Sequence, residues 1–347
     1  MLENKYIDLL RDIIHIPSFS GEETAVCDYL EHWLLSEGLC PIRRGNNLML
    51  GKANSNKPTI LLNAHIDTVR PASSYTRDPF TPSVEGDVLY GLGSNDDGGS
   101  LVTLLAVYMS LCKTAQPYNL LFTSTAEEEN SGRGGIEMLF ADMGKVSLGI
   151  IGEPTKMRLA VAEKGLMVLD CKAYGKAGHA AREEGVNAIY KAIEDIRWFE
   201  EYQFEKKSDF LGPVKMTVTQ IEAGRQHNQV PDLCSFVVDV RSNGIYSNTE
   251  VLATIKQHVS CDVNARSTRL NPSHIDLSHP VVRRAGELGI QCFGSPTMSN
   301  QSLLSFPTVK IGPGDSARSH SADEYIKLSE LSEGLAIYTA LLDNLSL

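Results

Sequence analysis

The sequence is short of most features that would assign it to a class at sight. Its seven cysteines are scattered, odd in number and never spaced as CxxC, which excludes a disulfide framework and a cysteine-built zinc site. A reducing, cytoplasmic setting is therefore expected. Long apolar runs are missing too: the longest, residues 101–112, falls well short of the roughly twenty residues that span a bilayer. The start, MLENKYIDLLRDIIHI, mixes acids among its apolar residues, unlike a signal peptide, so export is not expected. Basic residues are in deficit, 32 against 43 acidic ones for a net charge of −11, which argues against a nonspecific partner of nucleic acid or anionic membrane. What remains is a globular composition, 42% hydrophobic and 22% charged, over 347 residues, a length that suggests about two domains.

The first 160 residues alternate helical and strand patterns. Tyr6, Leu9, Leu10, Ile13 and Ile14 recur at helical spacing, and Ser20 with Glu23 reads as a capping box opening a second helix that ends near Gly38. Residues 59–64, 119–124 and 147–151 are short apolar runs without alternation, as in strands buried on both faces of a parallel sheet. Helical patterns over 99–111 and 134–143 lie between them, giving an open α/β domain whose ligands belong beyond the strands' C-terminal ends. From Gly165 the texture changes to strand, helix (186–201), strands (214–222 and 233–241), helix (249–258) and an extended segment, the βαββαβ order of a ferredoxin-like unit. The α/β texture then resumes, with helices at 281–288 and 328–342 around a strand at 308–312. The expected architecture is a mostly parallel α/β domain of residues 1–165 and 273–347, interrupted by a ferredoxin-like domain of residues 166–272.

Several acids and histidines sit where such a sheet presents ligands. His65 and Asp67, in NAHID, follow a buried strand and point the same way; a structural hydrogen-bonded pair is the ordinary reading, and an imidazole oriented by a carboxylate the functional one. Asp96 lies in a glycine-flanked loop, GLGSND, which is either a turn or a ligand loop; its aspartate would repel the pyrophosphate of a nucleotide. Glu127, Glu128 and Glu129 follow the strand LLFTSTA, where three like charges need solvent or a cation between them. Glu153 ends GIIGEPT, and His320 follows the turn GPG. Singly, each is a turn, a cap or a solvated loop. Together, five segments distant in sequence converge on one edge of one sheet, and two imidazoles with three carboxylates suit two zinc ions.

NAHID, GLGSND, the glutamate run before a glycine-rich stretch, GEPT, GKAGHAA and the late His320 together resemble the dinuclear zinc amidohydrolases and metallopeptidases. That family includes acetylornithine deacetylases, succinyl-diaminopimelate desuccinylases, aminoacylases and glutamate carboxypeptidases. The order and spacing match over nearly the whole chain, and the GLGSND and GHAA segments look most like the acetylornithine deacetylase branch.

The resemblance implies two zinc ions, replaceable by cobalt, with His65 and Glu153 on one, Glu129 and His320 on the other, and Asp96 bridging. It implies that Asp67 orients His65, that Glu128 is the general base, and that Glu127 is the family's preceding acid. The ferredoxin-like segment resembles the family's lid and dimerisation domain. There His179 would reach the scissile carbonyl across a homodimer, with Asn228 its polar companion, and Arg241 would bind the substrate carboxylate. The implied reaction is hydrolysis of an N-acyl amino acid, foremost N-acetyl-L-ornithine in arginine biosynthesis. N-succinyl-ornithine, N-succinyl-diaminopimelate and peptides stand as alternatives, and a catalytically silent binding protein as the non-enzyme alternative. Two departures bear on substrate preference: Asp97, Gly98 and Gly99 stand where the family commonly has Met-Lys-Gly, and Asn300 where it often has aspartate.

Overall fold

The structure, a computed structural model, describes residues 2–53 and 56–347. The chain forms two compact units, one of Met1–Val161, His274–Phe293 and Ser299–Leu347, the other of Ala162–Ser273 with Gly294–Met298.

The first unit is built on a mixed sheet with a parallel centre. Thr59–His65 runs parallel to Asn119–Thr125 on one side and to Leu148–Ile151 on the other, and Thr308–Lys310 continues parallel beyond Leu148–Ile151. The hairpin Ile42–Arg44 and Asn47–Leu50 adds antiparallel strands at one side. Every residue of Thr59–His65 is buried, which explains its unbroken apolar pattern: both faces are covered. The helix Gly99–Leu111 is buried almost all round, and it packs with Asn4–Ile14 and Leu328–Leu342 in the main core. A smaller apolar cluster of Met49, Leu61, Leu121, Ile136 and Leu139 covers the opposite face.

Two local readings of the sequence need correction. The second helix begins at Thr24, not Ser20, and Glu23 makes no side-chain cap. Its carboxylate instead accepts the amides of Gly21 and Glu127, while the Ser20 hydroxyl donates to Asp67. The helix expected over 134–143 is a 3-10 turn, Ile136–Leu139, followed by one short α-turn, Phe140–Met143. Gly134 and Gly135 belong to the preceding loop, where a Cβ on either would meet Glu127 or the Ala126 carbonyl.

A three-stranded antiparallel sheet, Ser83–Glu85, Val88–Tyr90 and Tyr325–Lys327, joins the glycine-rich loop to the C-terminal region. Tyr325 pairs with Tyr90, so Glu324 faces the residues just after that strand.

The second unit is a four-stranded antiparallel sheet in the order Lys215–Ala223, Leu233–Arg241, Met167–Tyr174, Asp262–Ala265. With helices Ala188–Glu201 and Asn248–His258 between strands, this is the ferredoxin-like arrangement. Alternate residues of Met167–Tyr174 are buried, and Leu169, Cys171, Phe236 and Val238 pack with Phe199, Val251 and Ile255 of the helices. Ser247 opens the second helix with a true capping box to Glu250.

Candidate metal centre

The parallel register brings strand ends together. His65 closes its strand beside Thr125, so His65 and the acids after Thr125 emerge at one edge, with Glu153 two residues past Ile151 on the neighbouring strand. His320 arrives from the loop after Thr308–Lys310, in a left-handed conformation with φ of 57°.

His65 is 2% exposed, and its Nδ1 lies 2.9 Å from the Asp67 carbonyl oxygen. A carbonyl can only accept, so Nδ1 donates and Nε2 is aimed at the acids. That Nε2 lies 3.2 Å from Asp96 Oδ1 and 4.0 Å from Glu128 Oε2. The other oxygen of Asp96, Oδ2, is 3.7 Å from His320 Nε2, so this carboxylate turns one oxygen toward each imidazole. His320 Nε2 is also 3.0 and 2.9 Å from the two oxygens of Glu129. Two groups of three residues have ligand atoms all within 4.8 Å of one another: His65, Asp96 and Glu129, and His65, Glu128 and Glu153. Glu128 therefore shares a cluster with Glu153 and is not set apart from the ligand set by position.

The loop that carries the acids is held amide by amide. Asn47 Oδ1 accepts the amide of Ala126, Glu23 Oε1 that of Glu127, Asp67 Oδ1 that of Glu128 and Asp67 Oδ2 that of Glu129, at 2.9 to 3.1 Å. Glu127 turns its own carboxylate to the Gly134 amide. Asp67 thus uses its carboxylate mainly to fix two backbone amides, and meets His65 chiefly through its carbonyl. Glu23 caps no helix, and Asn47 has no motif of its own: its local signal is a polar residue opening an otherwise apolar strand.

Buried charge of one sign dominates the electrostatics. Burial pushes the Glu128 carboxyl up to about 8, with Glu129, Asp67 and Asp96 adding repulsion, and Asp97 rises to about 7, mainly through burial. Burial, with Glu128 and Asp96 nearby, raises Glu153 well above its usual value. His320 is raised to about 9, chiefly by its hydrogen bond to Glu129. Burial opposes charge on His65, yet Asp67 and Asp96 hold it well above an ordinary imidazole. Acids that resist ionisation and imidazoles that retain protons are what a cation-binding cluster shows when protons stand in for the cation. Oxygen and imidazole donors in this number fit zinc or a similar dication.

Three residues given site roles belong to the second unit. His179 is exposed on the short ladder Gly178–His179 with Gln229–Val230, and the Ala180 amide donates to the Asn228 carbonyl, so His179 and Asn228 are neighbours. Arg241 pairs across strands with Lys215 and directs its guanidinium fork onto Asp239, at 2.8 and 2.9 Å. In the first unit, Asn300 donates to Asn63 Oδ1 and Thr125 Oγ1 within a buried polar network beneath the strand ends, and is in neither three-residue ligand group. Asp97 accepts the backbone amide of His65.

The fold and the carboxylate-imidazole cluster together define a metal-dependent hydrolase. The chain belongs to peptidase family M20/M25/M40, whose pattern matches residues 61–344. It is similar to an acetylornithine deacetylase of Buchnera aphidicola, 26% identical over 85% of this chain and 83% of that protein. A [LysW]-lysine/[LysW]-ornithine hydrolase of Sulfurisphaera tokodaii is 28% identical over 99% of this chain and 96% of its own. Among solved structures, a tripeptidase of Staphylococcus aureus superposes with a TM-score of 0.78 at 20% identity, covering 99% of this chain and 98% of that one. A dinuclear metal-binding M20 peptidase of Bacillus subtilis gives 0.72 at 16% identity, covering 98% and 97%. No helix among the described residues is long and apolar enough to cross a membrane.

Proposed function

We propose that the protein hydrolyses the amide bond of an N-acyl amino acid, foremost N-acetyl-L-ornithine in arginine biosynthesis. The observation that carries this reading is the pair of three-residue clusters sharing His65, with Asp96 turned to both imidazoles. His65 and Glu153 would hold one zinc ion and Glu129 and His320 the other, with Asp96 shared between them. When bound, such ions polarise a carbonyl and lower the pKa of a water from 15.7 to about 7.

The chain's own residues do the rest. Glu128, part-buried beside the ligands, would be ionised by the charge of the bound metals and as the carboxylate would take a proton from the attacking water and return it to the leaving amine nitrogen. Asp67 keeps Glu128 and Glu129 in place through their amides and fixes the His65 tautomer through its carbonyl. His179 donates to the carbonyl oxygen of the substrate, Asn228 lies beside it, and Arg241 takes the substrate carboxylate, to which its planar fork is suited. Residues 166–272 act as lid and dimerisation domain. The exposed edge strand Lys215–Ala223, with Ile221 outward, supports a homodimer through this domain. The partner is then a small molecule, not nucleic acid or membrane, and the seven free cysteines support a cytoplasmic location.

The Sulfurisphaera tokodaii relative favours a second reading, release of lysine or ornithine from a larger acyl partner. A panel of N-acetyl, N-succinyl and N-formyl amino acids, glutamyl conjugates of lysine and ornithine, and dipeptides, assayed with added zinc or cobalt, separates the readings. N-acetyl-L-ornithine turned over fastest is the expected result. Faster turnover of the glutamyl conjugates moves the assignment to the second reading, and no hydrolysis with metal bound sinks both.

A further inference from the structure

Glu324 lies four residues after His320 and is 2% exposed. Its Oε2 accepts the amide of Gly93 at 3.0 Å, and its Oε1 accepts the amides of Asn95 and Asp96, each at 2.9 Å. Its carbonyl accepts a fourth amide, that of Gly91, at 2.9 Å. The loop on the other side of the contact is one that needs holding. Gly93 is left-handed, with φ of 74°, and a Cβ there would meet Thr68 at 2.6 Å, so the loop turns sharply at a residue with no side chain to fix it. A second clasp lies beside the first: Asn95 Nδ2 donates to the Asp315 carbonyl and Asn95 Oδ1 accepts the Asp315 amide, at 3.1 and 2.9 Å.

We infer that Glu324 is a positioning residue that fixes the backbone of Asp96 and the segment leading to His320 in one frame, and so sets the spacing of the two ligands. The inference rests on the reading of Asp96 and His320 as metal ligands. Asp96 turns its carboxylate oxygens to the two imidazoles, with the Ser319 hydroxyl as a further hydrogen-bond partner, so the side chain is committed to the cluster and the backbone is anchored separately. Glu324 does for the Asp96 loop what Asp67, Glu23 and Asn47 do for residues 126–129. It also joins two parts of the chain more than 220 residues apart, which no local turn can do.

The test uses the full-length protein with Glu324→Ala and Glu324→Gln. Glutamine keeps one accepting oxygen but sets an NH2 group against an amide, so its effect should be intermediate. In metal-free protein, hydrogen exchange over residues 91–98 should accelerate in Glu324→Ala while the strand 119–125 is unchanged. Titration with cobalt should show one equivalent binding roughly 10–100-fold more weakly, with an altered absorption spectrum. For the substrate turned over by the parent, kcat should fall by a similar factor with KM within about threefold, the pattern of a disturbed metal centre and not of lost substrate contact. If Glu324→Ala fails to fold, Glu324→Gln carries the same readouts. Unchanged exchange over 91–98 together with unchanged cobalt binding overturns the inference. Should the parent hydrolyse no substrate at all, the function proposed above fails, while exchange and cobalt binding still decide the role of Glu324.

Discussion

The acid loop after Thr125 and the hairpin carrying His179 offer a contrast in how a fold presents chemistry. In the first, four successive amides, 126 to 129, each meet a side-chain acceptor, and all three acceptor residues, Asn47, Glu23 and Asp67, are fully buried. In the second, His179 is exposed, and its support is a two-residue ladder, the backbone bond from Ala180 to Asn228, and two local bonds, its Nδ1 accepting the Ala181 amide and its carbonyl the Arg182 amide. Ligands of a dication must hold their spacing before the ion arrives, since like charges otherwise push them apart. A group that meets substrate transiently needs reach more than rigidity. The two regions should therefore fail differently when mutated.

The largest effect is expected at Glu128. Replacing it with alanine should cut kcat by about 10²–10⁴-fold, the range for a lost general base, with both metals retained by elemental analysis. Because Glu128 shares a cluster with His65 and Glu153, loss of one metal equivalent would instead make it a ligand. Asp67→Ala comes next. It strands the amides of Glu128 and Glu129 and the Ser20 hydroxyl, all part-buried, at up to about 1–3 kcal/mol for each where water does not replace the lost partner. Weaker metal binding by roughly 10–100-fold and a lower melting temperature should follow. His179→Ala should lower kcat yet leave metal content and melting temperature as in the parent. A fall in either would erase the contrast.

Proton release sharpens the same contrast. The metal-free cluster holds His320 at about 9, through Glu129, and Glu128 at about 8, through burial, so both carry protons near pH 7. A dication that binds His320 must displace its proton, and the charge it brings favours ionisation of Glu128. Apparent affinity should therefore rise with pH from 6 to 9, and calorimetry in two buffers of different ionisation heat should register proton release. Zero release would show that His320 does not enter the metal's coordination.

The sequence exposed most of the fold because its elements carry strong patterns: a strand buried on both faces, a helix apolar all round, and the βαββαβ order. The candidate ligands His65, Glu129 and Glu153 stand out because each sits at or just after the end of an apolar run, whereas His320 lies in a polar loop and is singled out by the resemblance. Their supports do not stand out. Glu23, Asn47 and Glu324 act through backbone amides that are distant in sequence, and an acceptor's partner leaves no periodicity. Glu23 shows why: a serine three residues before a glutamate is also the mark of a helix start, yet here the glutamate holds the Gly21 and Glu127 amides.

Arg241 should give the smallest effect, and it tests the exposed side of the comparison. Its fork lies on Asp239, with both side chains about 30% exposed. A partly exposed pair of this kind is worth about 0.2–1 kcal/mol, so the cost of giving Asp239 up for a substrate carboxylate is at most about fivefold in binding. Asp239→Asn should therefore lower KM by up to about that factor. Arg241→Lys, which keeps the charge but loses the two-pronged geometry, should raise KM several-fold at unchanged kcat. Both shifts should vanish when the free carboxylate of the substrate is converted to an amide. If they persist with the amide, or if neither variant moves KM, Arg241 serves only as the ion-pair partner of Asp239 on its own strand, and recognition of the carboxylate lies elsewhere.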